Sequence, residues 1–531
     1  MGQFDYIIIG AGSAGGVLAN RLSADGRHQV LLLEAGAPSH WLSPVPIGVA
    51  NLIDNPAANW LFEARGEASM DGRDIPVPRG KLLGGSSAIN GMVYVRGQAL
   101  DYDIWAQLGN RGWSYADVLP LFQRMESYGG GDDALRGREG PLRVTESGDE
   151  NPLYDALFEA ADEFGLERNA DYNGSVQEGM CRTQMTIAQG RRMSVATCFV
   201  EPARGRSNLA IETGASAQSL ILDGARCTGV RYLQGGKLHE ALARCEVITC
   251  AGAIKSPQLL EVSGIGDPGV LQQHGVEVRQ ALPGVGNGLR DHLSPRMGWS
   301  ITRPGVSYND RARGLGLVKQ VLRYAVSRTG FLSLPTASML AFMKTRPELE
   351  TADIQLHFMP FTYTAARKLH ARPGMTVLVY QMRPESLGSV HIRSADPEAA
   401  PAIEFNFLAT DNDRRTTVDG VRLTRRLMAA KALDGLRGVE YKPGAKIESD
   451  EEILDWVRRS GETAYHPVGT CRMGSDPLAV VDERLRAHGI AGLRVADASI
   501  MPTLVSGNTN APCIMIGEKC ADMVLADNVH A

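Results

Sequence analysis

Two residues able to do chemistry, His466 and Cys471, stand five positions apart in the stretch AYHPVGTCRMG, residues 464–474. Three chemistries use such residues. A zinc site needs several nitrogen or sulfur ligands to converge, and no second pair lies nearby in the sequence. A thiolate nucleophile needs an electropositive, exposed setting, and Arg472 is the one charge in an otherwise apolar segment. A general base needs an imidazole presented rigidly from a loop. Pro467 fixes its own φ and biases His466 toward extended backbone, which suits that role best.

A base acts on something bound, and the start of the chain supplies a binding element. Asp5 to Ala35 reads as a buried strand, a glycine turn, a helix and a second buried strand, with Gly10, Gly12 and Gly15 forming GxGxxG at the turn. Glu34 closes the second strand about 20 residues after the last glycine, where a carboxylate can accept from a ribose diol. A glycine run alone is weak evidence; with Glu34 it reads as a dinucleotide site.

Similar elements recur later. Residues 208–250 alternate as a β-meander broken by Asp223-Gly224 and Gly235-Gly236, then pass into the buried strand EVITCAG and the helix-like IKSPQLLEVSGIG. Near the end, LRVADASI runs from a strand into a small-residue turn, and NAPCIMIGEKCADMVLA reads as a helix with Pro512 in its first turn. The expected fold is α/β (α+β overall): a Rossmann-like dinucleotide domain with a β-meander, made of 1–150, 205–297 and 460–531. An inserted antiparallel-sheet substrate domain takes 151–204 and 298–459. Its strands are DIQLHFMPF, MTVLVYQMRP and GSVHIRS, with VDGVRLTRRLMAAKAL as its helix.

Composition narrows the classes. With 531 residues, 44% hydrophobic and 22% charged, two domains are expected rather than one core. The net charge of −5 is interspersed and no basic–aromatic stripe appears, which argues against nucleic acid. No apolar run is long enough to span a bilayer and no signal peptide is read, so a cytoplasmic location is expected, with peripheral membrane contact left open. The eight cysteines form no CxxC pair and are expected as buried, reduced thiols.

The segment RGKLLGGSSAINGMVYVRG, Arg79 to Gly97, adds small residues that let backbone approach a flat or phosphorylated ligand. With GAGSAG, Glu34, AGAIKSPQLLEVSGIG, YHPVGTCRMG and ADASIMPTLVSGNTNAPCIMIGEKCAD, the chain resembles the glucose–methanol–choline (GMC) family of FAD-dependent oxidoreductases along essentially its whole length. It is most similar to the bacterial primary-alcohol dehydrogenases. It is similar also to choline dehydrogenase, where GNLNA usually stands in place of GNTNA.

The resemblance implies a residue-level site. Gly10, Gly12, Ser13, Ala14 and Gly15 would border the FAD pyrophosphate, with Glu34 on the adenosine ribose. Arg79, Gly84, Gly85, Ser86, Asn90, Gly91, Met92 and Val93 would run along the pyrophosphate and flavin. Ala217 would face the adenine side, and Asp497 and Ala498 the ribityl chain. His466 and Asn510 would form the catalytic pair above the isoalloxazine ring. Ile89 and Asn90 stand where some members carry a flavin-linked histidine, so dissociable FAD is expected.

The start of the last helix would stabilise negative charge on a reduced flavin. Asn508 is expected only to cap that helix, and Asn510 to do more. The implied reaction is oxidation of a primary alcohol by hydride transfer to flavin N5, with His466 as base and O₂ or a quinone-like carrier as acceptor. A flavin-containing lyase, a choline dehydrogenase or oxidase, and a non-catalytic flavin protein are the alternatives. His357, Met359, Phe361 and Met339 are read either as pocket lining or as plain core. No metal is expected.

Overall fold

The computed structural model describes residues 2–364 and 368–528. A seven-stranded sheet carries the N-terminal unit. Strands Leu209–Thr213, Val30–Glu34, Gly2–Ile9 and Lys237–Thr249 lie side by side in parallel, and Leu493–Val495 joins the last of them, also in parallel. VLLLE is buried throughout, as befits a parallel strand covered on both faces.

The strand Lys237–Thr249 is shared. Its first half pairs antiparallel with Arg226–Gln234, which pairs in turn with Ala215–Asp223. The turns sit where the sequence places them: Gly224, Gly235 and Gly236 have φ of 54°, 58° and 77°, which glycine adopts without strain.

One face of the sheet is covered by helix Gly15–Leu22, and the C-terminal helix Asn510–Asn528 packs on that helix. The two ends of the chain are also stitched by charge. Arg21 binds Glu518, and its Nη2 lies 2.8 Å from Asp522 Oδ1. Helix Gly252–Val262 starts beside the strand end at Thr249 and packs on the meander.

The second core surrounds a six-stranded antiparallel sheet in the order Arg437–Lys442, Arg296–Ile301, Gly374–Gln381, Ile354–Met359, Met339–Met343, Gly179–Arg182. Helix Asp411–Met428 covers it, begun by Thr410, whose hydroxyl accepts from Asp413 N. Register sets what this sheet presents. Gln355 lies opposite Tyr380 and His357 opposite Leu378, so Gln355, His357 and Met359 share one face by the two-residue period.

Several expected placements differ. GSVHIRS is a strand, but Gly388–His391 joins a separate three-stranded sheet with Asn287–Leu289 and Ala402–Glu404. It is tied to helix Gly252–Val262, where Glu261 accepts from Ile392 N at 2.8 Å. The helix read as 418–433 begins at Asp411 and ends at Met428, because Thr410 supplies the cap that its polar first turn conceals. Val195, Phe199 and Ala203 belong to the first core, whereas the hairpin Phe62–Glu67/Arg73–Val77 contributes Phe62, Ala64, Ile75 and Val77 to the second. Both segments are short, and nothing local in them says which core their apolar residues join.

Candidate active site

Between the two sheets lies a cavity of about 480 Å³. At one end it is lined by Gly10, Gly12, Ser13, Ala14 and Glu34, at the other by His357, Tyr380, His466 and Asn508. Gly10 turns at φ 101°. A Cβ on Gly15 would sit 2.0 Å from Gly10 O, so this glycine lets the helix dock tightly; one on Gly12 would meet nothing within 4 Å. That open face belongs to the turn that begins helix Gly15–Leu22, whose first N–H groups have no side-chain cap. Free N–H groups at an uncapped helix start suit an anion.

Glu34 is buried, accepting from Ala11 N at 3.0 Å and Gly36 N at 2.9 Å. Burial pushes its carboxyl up to about 7 despite those two bonds. Each oxygen keeps a lone pair for a diol. The residues present therefore fit a dinucleotide of the FAD kind: a pyrophosphate at the open glycine and a ribose at Glu34. Ala217 and Lys255 line the same end.

Of the segment Arg79 to Val93, the cavity is lined by Arg79, Gly80, Gly85, Ser86, Ile89, Asn90, Gly91, Met92 and Val93. Gly84 and Gly15 stand behind it: Gly84 N donates to Ala11 O, bracing the glycine turn from outside. Asp497 and Ala498 line the wall, but the Asp497 carboxylate already accepts from Gly252 N at 2.8 Å, Ser256 Oγ at 2.5 Å and Ser499 N at 2.8 Å. His357, Met359 and Phe361 line the cavity, whereas Met339 is core.

Arg79 also reaches across the cavity wall. Its Nη2 donates to Tyr465 O at 2.6 Å, on the base side. Tyr465 has φ 70°, a left-handed conformation costly for a bulky residue. Arg79, Thr463 Oγ1, which accepts from Tyr465 N at 2.7 Å, and Arg296, whose Nη2 donates to Tyr465 OH at 3.0 Å, hold it there. The strained peptide sets the direction of the next residue, His466.

The imidazole of His466 is buried and engaged at both nitrogens. Nδ1 lies 3.0 Å from His292 Nδ1, and Nε2 lies 3.1 Å from Asn508 Nδ2. The direction of these bonds follows from the ends of the network. His292 Nε2 faces Met382 O at 2.8 Å, a carbonyl that can only accept, so Nε2 carries the hydrogen. Burial holds His292 down to about 4, so it is neutral near pH 7 and its Nδ1 is bare. His466 Nδ1 must then donate to it.

From the other side, Tyr380 OH donates to Gln355 Oε1 at 2.6 Å, and Gln355 Nε2 donates to Asn508 Oδ1 at 3.4 Å. That turns the Asn508 amide so that its NH₂ faces His466. Both ends agree: His466 carries its hydrogen on Nδ1, and the bare Nε2 accepts from the Asn508 amide at the cavity wall, a bond that a substrate hydroxyl can replace. Burial first, then His292, Arg79 and His357, hold its pKa well below the usual 6.5.

Asn510, expected to pair with His466, lines the same cavity and accepts from Ser13 Oγ at 2.8 Å, tying the last helix to the glycine turn. The amide hydrogen-bonded to His466 is that of Asn508, expected only to cap. Asp291, His292, Gln355 and Tyr380 are the parts that sequence reasoning missed. Asp291 is buried, raised to about 6 by burial, and accepts from His466 N at 2.9 Å and His292 N at 2.7 Å. The dipeptide Asp291-His292 within an apolar stretch was the available signal. Cys471 is buried in the first core, and burial pushes its thiol well above its usual range.

The GMC oxidoreductase family model matches residues 4–294, and its C-terminal counterpart matches residues 384–517. The chain belongs to the GMC oxidoreductase family. This GMC oxidoreductase is 42% identical to an oxygen-dependent choline dehydrogenase of Photobacterium profundum, over 99% of this chain and 93% of that protein. It is 42% identical to a protein of the same name from Brucella anthropi, over 98% and 96% of the two chains. The structure of pyridoxine 4-oxidase from Mesorbium loti superposes with a TM-score of 0.88 at 31% identity, covering 99% of each chain. The GMC oxidoreductase is thus a flavoprotein with FAD as cofactor, and an enzyme that oxidises an alcohol.

Proposed function

We propose that this enzyme oxidises an uncharged primary alcohol to the aldehyde, with His466 Nε2 taking the hydroxyl proton. The observation that carries the reading is the relay that keeps the hydrogen of His466 on Nδ1, donating to His292, and leaves Nε2 as the acceptor nitrogen at the cavity beside the Asn508 amide. FAD held along Gly12, Glu34 and the segment Arg79 to Val93 would supply the hydride acceptor. His466 removes the proton, the Asn508 amide N–H beside it holds the alcohol oxygen, and the buried wall of His357, Tyr380 and Met359 keeps water away. The oxidoreductase family match favours oxidation over carbon–carbon cleavage.

The relatives' names favour choline as a second reading, and the aromatic rings of Tyr308, Phe331 and Phe361 in the lining would suit a cation. Arg296 weighs against it. Its guanidinium lines the cavity, bound to Glu462 at 2.8 Å and Tyr363 OH at 2.8 Å, and the carboxylates lining the cavity, Glu34 and Asp497, are both engaged by the nucleotide-side backbone. The buried Arg296 Nε has no acceptor among the described residues, so an oxygen in the substrate would satisfy it. An anaerobic panel of alcohols followed by reoxidation with air or a quinone tests substrate and acceptor together. Faster flavin reduction by choline than by benzyl or aliphatic alcohols would overturn the uncharged substrate.

Two further outcomes are expected. Acid precipitation should release the yellow colour into the supernatant, since neither Ile89 nor Asn90 offers an attachable side chain; colour in the pellet would refute non-covalent FAD. The kcat/KM profile should stay level down through pH 6.5 and fall only at lower pH. The acceptor is the neutral imidazole, and burial, with the Arg79 charge nearby, favours that form. An acid limb centred at or above 6.5 would contradict the buried-base assignment.

Asn508→Ala removes one hydrogen bond to developing charge and should slow reduction by about 10- to 100-fold. Asn510→Ala should chiefly loosen FAD, through the lost bond to Ser13. A reversed pattern in rate and FAD retention would restore Asn510 as the partner of the base.

A further inference from the structure

Helix Gly314–Ser327 is amphipathic the wrong way out. Leu315, Val318, Val321, Leu322 and Val326 are 87%, 54%, 48%, 60% and 86% exposed, while Tyr324 is its one buried residue. An apolar face of this kind, turned to water on an otherwise well-packed molecule, marks a surface that meets something else.

The charge around it indicates what. Residues 303–328 hold six basic side chains, Arg303, Arg311, Arg313, Lys319, Arg323 and Arg328, against the single acid Asp310, in a chain of net charge −5. Arg313 donates to Ala371 O, Arg323 to Thr329 Oγ1, and Arg328 lies over the Tyr324 ring, so these three turn to neutral groups. A nearby turn adds Trp41, 77% exposed. The turn Pro46–Gly48 that follows Trp41 packs against Phe331–Ser333, which packs on the helix.

We propose that helix Gly314–Ser327 docks this enzyme on an anionic lipid bilayer. Apolar side chains flanked by Lys and Arg, with tryptophan nearby, match an interfacial helix. At 14 residues it is about 21 Å long, too short to span and long enough to lie in the plane. A second copy fits less well, because a two-fold contact would set both basic clusters face to face. Tyr308 and Phe331, on either side of the helix in sequence, line the cavity with Leu369, so docking places the substrate side of the cavity beside the membrane. An apolar alcohol or a lipid-soluble oxidant would then enter from the bilayer.

The test is co-sedimentation of the FAD-loaded full chain with vesicles of phosphatidylcholine alone or with about 30% phosphatidylglycerol. Binding to the anionic vesicles should be at least about tenfold tighter, and should fall about tenfold or more between 0.1 and 0.5 M salt. Val318→Glu with Leu322→Glu should abolish it while leaving FAD content and flavin reduction by a water-soluble alcohol unchanged. Equal binding by the double variant, or none by the parent chain, overturns the proposal. So does a dimer in sedimentation velocity that the double variant dissociates while vesicles go unbound. Vesicle binding is read independently of the alcohol assignment, so either can fail alone.

Discussion

Replacing His466 with alanine is expected to lower the rate of anaerobic flavin reduction by about 10²–10⁴-fold while FAD stays bound. The base sits at the opposite end of the cavity from Gly12 and Glu34, so its removal leaves the nucleotide contacts in place. The loss concentrates in reduction rather than in substrate binding, because proton removal belongs to the transition state. Cys471→Ser is the control. Its sulfur is buried in the first core and its thiol is held protonated, so the rate should be nearly unchanged. Should Cys471→Ser abolish reduction while His466→Ala leaves it nearly intact, the thiol chemistry is the correct one.

The second large effect is expected from a single methyl group. In Gly15→Ala the new Cβ would lie 2.0 Å from Gly10 O and 3.0 Å from Cys250 Cβ, backbone and core that cannot both give way. Overpacking of this kind costs roughly 1–3 kcal/mol or more, a large share of the stability of an ordinary fold. The variant should be recovered colourless or insoluble, with a lowered melting temperature without cofactor. Gly12→Ala separates folding from binding, since its Cβ would meet nothing within 4 Å. It should fold with an unchanged melting temperature as apoprotein and yet hold FAD weakly, because the methyl occupies the ligand's side of the turn. If both variants melt alike as apoproteins, the glycines do not have these separate roles.

The elements were legible wherever a local rule decides them. A buried run, a glycine turn and a 3.6-residue stripe are visible in Asp5 to Ala35, and Asp223-Gly224 and Gly235-Gly236 mark turns by the φ values only glycine tolerates easily. His466 was legible because Pro467 follows it. The partners were not. His292 is 174 residues from His466, and Gln355 is 153 residues from Asn508, so no spacing announces either contact. Asn508 and Asn510 are two positions apart, and the choice between them rests on how the last helix is rotated, which the bond from Ser13 to Asn510 fixes from the far end of the chain. Gly388–His391 reads as a strand from its own residues, but its neighbour Asn287–Leu289 and the anchoring Glu261 lie about 100 or more residues earlier.

That bond from Ser13 to Asn510 spans 497 residues, and it sets a timetable for making the molecule. A ribosome adding roughly 5–20 residues each second needs about 25–100 s to pass from one partner to the other. For about the first half of that interval the strand Gly2–Ile9 also lacks its neighbour Lys237–Thr249, and throughout it helix Gly15–Leu22 has no Asn510–Asn528 to cover it. The nascent glycine turn is therefore a long-lived apolar edge, the sort of surface that chaperones hold. The wall that Asn510 completes is missing until that residue has been made, so cofactor capture follows the meeting of these two distant segments.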